Sequence, residues 1–404
     1  MESRMIKGKW LGIAAVVLVL LLSFAACGPA QIVEQKTVQV GHIDPFTGAG
    51  SVSVQITGEA FQDYIRYFNE QEAIPGVNIE VVWADSMRQF PQWYTHYLRF
   101  VDRGIPLIYT NDTQGLTTPD YEKDDVVAIA GGGTQEVVYP PGWRYTESLT
   151  NVEQAAAVME YFMENWQEER SPRFAFIVMD SAWAYEVLDE GTKYAQSLGF
   201  EVLPSETVPF VTLDATTQLL RLTESGADFV YIQALAPSSG PALRDVERLG
   251  LLGQIQFAGH ASSMGERVIE MTGAASEGYL IARAFPSFYE TEVPGIKLML
   301  DNMMKYHGEV MREDEYFHGW VVGAIACEAI TRAIENVGYE NLDGAAVKEA
   351  LDSIQDFDVY GLCRITYTPE DHRGNTKVAI YQVGDGKLVS VTDWREAPMI
   401  VPEE

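Results

Sequence analysis

Two turns rich in small and polar residues hold the groups best suited to chemistry in this chain. Residues 110–115 (TNDTQG) and 131–135 (GGGTQ) each follow a short apolar run that predicts a buried strand. Turns after parallel strands lie at the edge of an open α/β sheet, where ligands bind, and backbone N–H groups of glycine-rich turns bind anions well. The two turns therefore predict a site for a small polar or anionic ligand.

The residue types that mark common catalytic and metal sites are not arranged for that work. The sequence has no phosphate-binding loop, no paired zinc histidines and no Gly-x-Ser-x-Gly turn. Its six histidines and three cysteines lack metal-ligand spacing, and no two carboxylates stand out as an acid–base couple. Gly48-Ala49-Gly50 resembles part of a dinucleotide fingerprint, but Ser53 replaces its third glycine. We expect a protein that is not an enzyme and that has no metal or cofactor.

Length and charge narrow the class of protein and partner. The chain has 404 residues, of which 47% are hydrophobic, so it is long enough for two well-packed lobes. Its formal net charge of −30 at pH 7 argues against a nucleic-acid partner, because phosphate binding needs a cationic surface. We therefore expect a soluble, acidic surface and a small-molecule ligand.

The first 27 residues carry the pattern of an export signal. Three basic residues within the first nine are followed by an apolar run over 11–22, which is short for a membrane span, and by small residues before Cys27. This order resembles a bacterial lipobox, in which the signal is cleaved and the new N-terminal cysteine is lipidated. We expect residues 1–26 to be a lipoprotein signal peptide and 27–36 a tether. A plain signal peptide and an uncleaved anchor are the alternatives.

Two further cysteines, Cys327 and Cys363, leave two redox forms open. A disulfide is compatible with an exported protein. A buried free thiol is equally compatible with the apolar helical pattern around Cys327.

The repeated unit of the chain is a strand, a loop and a helix. Residues 38–43 are β-prone, and apolar residues over 56–68 recur with the period of a helix that buries one face. After a break at Ser171-Pro172, a second series of strands and helices begins with a strand over 173–179. Two such series predict an α/β fold with two doubly wound, Rossmann-like lobes and right-handed crossovers.

Several short motifs, taken in order, resemble one known family. They are 180–184 (DSAWA), 227–231 (ADFVY) with Pro237 and 244–251 (RDVERLGL), 256–259 (QFAG) with 276–278 (SEG), and 368–375 (TPEDHRGN). Their order and spacing are similar to those of the type I periplasmic binding proteins of ABC importers, in the Leu/Ile/Val-binding-like group. The resemblance covers essentially the whole chain after the export signal.

The resemblance implies two lobes joined by a multi-stranded hinge, with a cleft that closes on a small ligand. It assigns residues 37–152 and 287–355 to the first lobe. Residues 153–286 and 356–404 then form the second lobe. Hinge segments are expected near Thr150-Asn151, Pro286 and Asp356.

The resemblance also implies the ligand contacts of the first lobe. Asn111, Thr113, Gly133 and Thr134 stand where relatives capture a carboxylate or another polar head with backbone N–H groups and hydroxyls. For Thr113 and Thr134, capping of a helix is an equally good interpretation.

In the second lobe, Trp183 stands at the aromatic position that packs over the ligand in relatives, although it could be an ordinary core or rim aromatic. Tyr316, at the start of a long helix, stands close to another aromatic that reaches the cleft in relatives. Gln233, at the end of a predicted strand, offers a neutral amide.

Two departures from the family pattern concern the ligand. Relatives that bind branched-chain amino acids pair the ligand's ammonium with a glutamate at the position of Ala261, and they have tyrosines at the positions of Leu235 and Ala236. An ammonium in a dry cleft needs a partner. We therefore expect a carboxylate with a neutral or aromatic body, or an amide, rather than a plain branched-chain α-amino acid. The alternative is that Asp85 or Asp112 reaches the ammonium from the first lobe.

The resemblance thus implies a solute-binding lipoprotein held at the cell membrane and facing the periplasm or the cell exterior. It would deliver a small organic ligand (an amino acid, an amide, or an aromatic or other organic acid) to the permease of an ABC importer. A ligand-sensing receptor of the same fold is the first alternative, and an extracellular hydrolase ranks last. Neighbouring permease and ATPase genes would favour transport, whereas a kinase gene would favour sensing.

Overall fold

Two β-sheets, each packed between helices, form the two lobes of the chain, as the alternating pattern predicts. The computed structural model describes residues 35–48 and 51–402. The predicted signal peptide, most of the predicted tether and the lipidation site at Cys27 lie outside the described residues.

The strands of the described residues are short in the first lobe after the opening pair. In chain order they are β1 Lys36–Asp44, β2 Val77–Asp85, β3 Leu107–Tyr109, β4 Val127–Ala130, β5 Arg144–Thr146, β6 Arg173–Met179, β7 Glu201–Val202, β8 Glu206–Val208, β9 Phe229–Gln233, β10 Gln256–Gly259, β11 Leu280–Arg283, β12 Phe357–Asp358, β13 Arg364–Ile365, β14 Lys377–Gly384, β15 Lys387–Ser390 and β16 Arg395–Glu396.

The helices alternate with these strands. In chain order they are α1 Ser51–Glu70, α2 Phe90–Asp102, α3 Thr113–Thr117, α4 Tyr121–Asp124, α5 Gln135–Val138, α6 Asn151–Asn165, α7 Ala182–Tyr185, α8 Val187–Leu198, α9 Thr216–Glu224, α10 Ala236–Arg248, α11 Glu266–Thr272, α12 Pro294–His307, α13 Asp314–Val337 and α14 Gly344–Asp352.

The first sheet is parallel throughout and has the order β2-β1-β3-β4-β5. Leu107 and Tyr109 of β3 pack with residues of α1, α13 and α14, whereas Ile108 packs with aromatic residues of α2. Side chains alternate along a strand, so both faces of the sheet are buried. The strand order reverses between β1 and β3, which is where such a sheet binds ligands.

The second sheet has a parallel part and an antiparallel edge. Strands β7-β6-β9-β10-β11 are parallel, and β14 and β15 follow β11 in antiparallel pairs. The order reverses between β6 and β9, so this lobe has a second switch point at Met179 and Gln233. The inner strands are nearly continuous apolar runs because helices cover both faces.

Three segments of the chain cross between the lobes and hydrogen-bond to one another. The Thr146 N–H donates to the His372 carbonyl at 2.9 Å, and the Gly374 N–H donates to the Thr146 carbonyl at 2.8 Å. The Asn375 side chain donates to the Ala284 carbonyl of the second crossing at 2.7 Å. The crossing segments therefore hold each other in register.

Two buried ion pairs add to this region. Arg373 of the third crossing pairs with Glu153 of α6, and both side chains are almost fully buried. Arg283, at the end of β11, pairs with Asp314 at the start of α13 at 2.5 Å. Removing one member of a buried pair leaves a charge uncompensated, so both pairs make the crossings costly to rearrange.

The packing differs from one sequence expectation. Residues 357–367 pack into the core of the first sheet, on the first-lobe side of the boundary expected at 356, and the crossing itself lies near 371–375. The other expected lobe boundaries stay a prediction.

Two further properties of the described residues concern membrane spans and cysteines. Within 35–48 and 51–402, no helix is both long and apolar enough to cross a membrane. Cys327 and Cys363 are both free and buried, so the structure takes the free-thiol form of the two that the sequence left open.

Candidate functional site

A cavity of about 320 Å³ lies at the carboxyl ends of the strands, between the two lobes. The loops after β1, β2, β3 and β4 and the starts of α1 and α13 line it from one side. The loops after β6, β8, β9 and β10 and the start of α6, which packs in the second lobe, line it from the other. The cavity therefore joins the switch points of both sheets.

The loop after β3 is fixed to the end of β1 by Asp44. The buried Asp44 carboxylate accepts hydrogen bonds from the Asn111 backbone N–H and side-chain Nδ2, both at 2.8 Å. The Asn111 Oδ1 in turn accepts from the Gly131 N–H at 3.0 Å, and its Nδ2 donates to the Tyr109 hydroxyl at 3.1 Å. Asn111 thus joins the ends of three strands, and it shapes the cavity wall more than it offers free donors.

Thr113 does not cap α3, because Asp112 is the N-cap residue of that helix. The Asp112 Oδ1 accepts from the Gly115 N–H at 2.7 Å, as an N-cap does at the start of α3. Thr113 lines the cavity beside it. Of the two interpretations of Thr113 that the sequence allows, helix capping is therefore ruled out.

The glycine turn after β4 needs residues without a Cβ. A Cβ at Gly131 would lie 2.8 Å from the Tyr109 hydroxyl, and Gly132 has a φ of +76°, which favours glycine. The Gly132 N–H donates to the buried carboxylate of Glu147. The turn can therefore approach a ligand closely with its backbone.

Glu147 also organises a histidine in the cavity wall. Its Oε1 pairs with the His318 Nδ1, and both residues are buried. Burial lowers the pKa of His318, but the charge and hydrogen bond of Glu147, together with the charges of Asp314 and Glu315, raise it by more, so the net pKa lies above the usual value. His318 lines the cavity, so this shift favours a positive charge beside the ligand space.

The second lobe contributes an aromatic and imidazole surface. Trp183, in α7, packs edge to face against His260 with ring centroids 5.0 Å apart. The His260 Nδ1 accepts from the Ser262 N–H at 3.1 Å, and burial lowers the pKa of His260 to about 3. The ring is therefore neutral, with its proton on Nε2, and it can donate one hydrogen bond.

Charges of both signs line the cavity. Arg88 lies at the rim, with its guanidinium 5.5 Å from the ring centroid of Phe210 in the other lobe. Asp112 and Glu315 bring carboxylates into the same space, and burial raises the pKa of each. The Ser53 hydroxyl donates to Glu315 at 3.2 Å. A ligand with both an anionic and a cationic group would find a partner for each.

Four of the expected ligand residues line the cavity, and three do not. The four are Asn111, Thr113, Gly133 and Trp183. Thr134 is buried at the N-cap position of α5, and its hydroxyl makes no hydrogen bond among the described residues. Gln233 is fully buried at the end of β9 and does not line the cavity. The contribution of all these residues to ligand binding stays a prediction.

Tyr316 is the clearest departure from expectation. It is fully buried, and its hydroxyl donates to Asp63 of α1 at 2.7 Å, so it lies in the core of the first lobe. Its neighbours Glu315 and His318 face the cavity instead. Successive residues of a helix point about 100° apart, so an expectation that is wrong by one residue puts the wrong side chain in the site.

Sequence reasoning missed four residues of the wall: Arg88, Glu315, His260 and His318. The histidines lack metal-ligand spacing, so the sequence gave no reason to place them together in a cleft. No group of three or more metal-binding side chains occurs in the described part of the chain. A signal that could have found Glu315 is the run of charges that opens α13.

Comparisons with known proteins agree with this geometry. The family described as periplasmic binding protein matches residues 37–387. The Leu/Ile/Val-binding protein homolog 1 of Brucella suis is 22% identical over 248 residues, which are 60% of this chain and 66% of that protein. The match therefore spans slightly less than two thirds of the length of this curated relative.

Two solved structures extend the comparison. A branched-chain amino acid ABC transporter from Thermus thermophilus with bound valine is 26% identical, has a TM-score of 0.83, and is matched over 97% of its length and 90% of this chain. A solute-binding protein of an ABC transporter from Rhodopseudomonas palustris, in complex with 3,4-dihydroxybenzoic acid, is 18% identical with a TM-score of 0.75, matched over 98% of its length and 89% of this chain. The second likeness concerns the fold alone.

Proposed function

The chain belongs to the periplasmic binding protein family, and we propose that it captures a small organic solute in the cavity between its lobes and delivers it to the permease of an ABC importer. The observation that carries this proposal is the cavity itself. It lies at the switch points of both sheets, and it combines a glycine turn and hydroxyls on one side with an indole and an imidazole on the other.

The head group of the ligand follows from the groups in the wall. The His318 ring, the rim guanidinium of Arg88 and the backbone of the glycine turn suit a carboxylate. Glu315 and Asp112 suit an ammonium or another hydrogen-bond donor. The head we propose is that of an amino acid or a close analogue.

This proposal revises the argument made from Ala261. Ala261 is buried and does not line the cavity, and its methyl group gives an ammonium no partner. Asp112, one of the two alternatives named from the sequence, lines the cavity, as does Glu315, which the sequence argument did not consider, whereas Asp85 does not. An ammonium therefore has a partner, although not the one that the family pattern suggests.

The protein would act at the outer surface of the cell membrane. The basic, apolar and small-residue order that ends at Cys27 supports a lipid anchor, which would hold the protein at the outer surface of the cell membrane beside its permease. The tether that follows would leave the two lobes free to meet that partner.

A thermal-shift screen of the purified protein tests the proposal. The panel holds the standard amino acids, their amides, and aromatic and aliphatic acids. A ligand at one hundred times its Kd adds about 2.7 kcal/mol to the free energy of unfolding, which raises the melting temperature measurably. A panel without any stabilising compound would contradict the proposed function.

Trp183→Ala distinguishes binding in the cavity from binding elsewhere. It removes the indole that faces the ligand, so the shift caused by a stabilising compound should shrink or vanish. The matched control is Trp394→Ala, since Trp394 lies on the second lobe, is 41% exposed and does not line the cavity. This control should keep the full shift.

A further inference from the structure

A second chamber adjoins the cavity on the side of α1 and α11. Its volume is about 220 Å³, and three of its lining residues, Ser53, Leu235 and Glu315, also line the first cavity. Ser53 and Glu315 come from the first lobe, and Leu235 comes from the second. The two spaces therefore share a wall to which both lobes contribute.

The second chamber is mostly apolar. Besides Leu235, six of its lining residues have apolar side chains: Val52, Ile56, Ala236, Pro237, Val268 and Met271.

Two of these apolar residues are left open to solvent on facing elements. Val52 of α1 is 53% exposed, and Met271 of α11 is 55% exposed. Burying such surface under a ligand is favourable. Exposed apolar side chains grouped at the mouth of a pocket are more typical of a binding surface than of an ordinary surface.

The charged groups of the chamber do not oppose an apolar occupant. Arg267 and Glu313 also line the chamber and carry opposite charges. Glu315, in the shared wall, accepts a hydrogen bond from Ser53 at 3.2 Å.

The volume of the first cavity also favours a ligand that extends beyond it. The first cavity, at about 320 Å³, is at the lower end of the range for ligand pockets, so it suits a small head group. We propose that the ligand is elongated, with its polar head in the first cavity and an apolar tail that passes Ser53 and Leu235 into the second chamber. This inference rests on the proposed function, because it needs a ligand head in the first cavity.

The test uses two series of probes on the purified protein. One series is the straight-chain 2-amino acids with side chains of three, four, six and eight carbons, and the other is straight-chain carboxylic acids of matching length. Isothermal titration calorimetry gives Kd for each. In at least one series we expect affinity to rise by about fourfold for each added methylene, until the tail reaches the outer rim of the chamber.

Two variants and one control locate the tail. Met271→Glu places a charge at the rim, and Ala236→Trp fills the chamber without a charge; each should abolish the gain with length and leave the shortest probe within about twofold of its original Kd. Met271 is half exposed, so its substitution leaves the core intact. The control is Met304→Glu on α12, where Met304 is 52% exposed and lines neither space, and it should keep the gain.

The probe series and the variants separate the second chamber from the proposed function. Short probes that bind without any gain with length would overturn the second chamber and leave the proposed function standing. A gain that survives both chamber variants would also overturn it, because the tail would then lie elsewhere. If no probe of either length series binds, this inference is overturned, and the thermal-shift panel then decides separately whether the proposed function falls with it.

Discussion

Asp44 and Asn111 are joined by two hydrogen bonds of 2.8 Å, one to the backbone N–H and one to the side-chain amide of Asn111. Asp44 ends β1, and Asn111 follows β3, so the pair closes the first switch point. The pair also fixes the turn after β4, because the Gly131 N–H donates to Asn111. The shape of the first-lobe wall therefore depends on a carboxylate that does not itself line the cavity.

Asp44→Asn should weaken ligand binding at least tenfold. The amide offers one acceptor oxygen in place of two, so one donor of Asn111 is left unpaired in a buried site, at a cost of about 1–3 kcal/mol. The wall should then shift, and the melting temperature should fall. Calorimetry with a compound from the screen and differential scanning fluorimetry measure both effects.

Asp85→Asn is the matched control for that substitution. Asp85 is the register partner of Asp44 on β2, but it holds the Thr47 hydroxyl and the Met87 N–H instead, and it does not line the cavity. Its Kd should stay within about twofold of the original. Equal losses in the two variants would show that the switch point of β1 and β3 has no special part in binding.

Glu315→Gln should change the preference between ligands that have and lack an amino group. Loss of the charge should weaken binding of 2-aminohexanoic acid about tenfold or more, because an ammonium near it loses its partner. Binding of hexanoic acid should not weaken. Calorimetry with both compounds gives the ratio. The control Glu328→Gln, farther along α13 and paired with Arg332, should leave the ratio as it is. An unchanged ratio in Glu315→Gln would show that Glu315 does not pair with the ligand ammonium.

Glu186 should make stability depend on pH. It accepts from the Gln135 N–H at 2.8 Å and from the Asn151 side chain at 3.0 Å. Burial raises the pKa of Glu186 from 4.5 to about 7. The folded protein thus keeps this proton when the unfolded chain has lost it, so the stabilisation is complete below pH 4.5 and is lost as the pH rises to about 7.

Glu186→Gln removes this titration. Between pH 5 and pH 8 the melting temperature of the variant should decline less than that of the unchanged protein, by roughly 2 °C. Differential scanning fluorimetry over this range provides the comparison. Parallel pH profiles for the two proteins would argue against the shift at Glu186.

Cys27→Ser should leave an unlipidated precursor. The sequence order before Cys27 predicts cleavage and lipid attachment at this residue, and a thiol is the group that accepts the lipid. Metabolic labelling with a fatty acid should mark the unchanged protein and spare the variant. Cys363→Ser serves as the control, because Cys363 is buried in the first lobe and should not affect labelling. Label on the Cys27 variant would refute the anchor.

Local patterns predicted the framework of this protein well. The strand over 173–179 and the helical period over 56–68 lie where the sequence places them, because continuous apolar runs and a helical period depend only on near neighbours. The sequence also located the two turns that carry Asn111, Thr113 and Gly133, since turn residues after buried strands form a local pattern.

The residues that reach the cavity from afar were harder to predict. Glu315 and His318 lie on α13, far along the chain from the glycine turn after β4, and a shift of one position on that helix separates Glu315 from the buried Tyr316. Residues 357–367 pack in the core of the first lobe, so the third crossing to the second lobe comes only near 371–375. Contacts of this kind depend on tertiary packing, which a single sequence does not display.

Calorimetric titration of the unchanged protein, of Trp183→Ala and of Trp394→Ala tests the central claim most directly, with the most stabilising compound of the screen as ligand. The account predicts one ligand per chain with a Kd in the micromolar range or below, at least tenfold weaker binding in Trp183→Ala, and the original Kd in Trp394→Ala. Binding that is equally tight in all three proteins would contradict capture of the solute between the lobes.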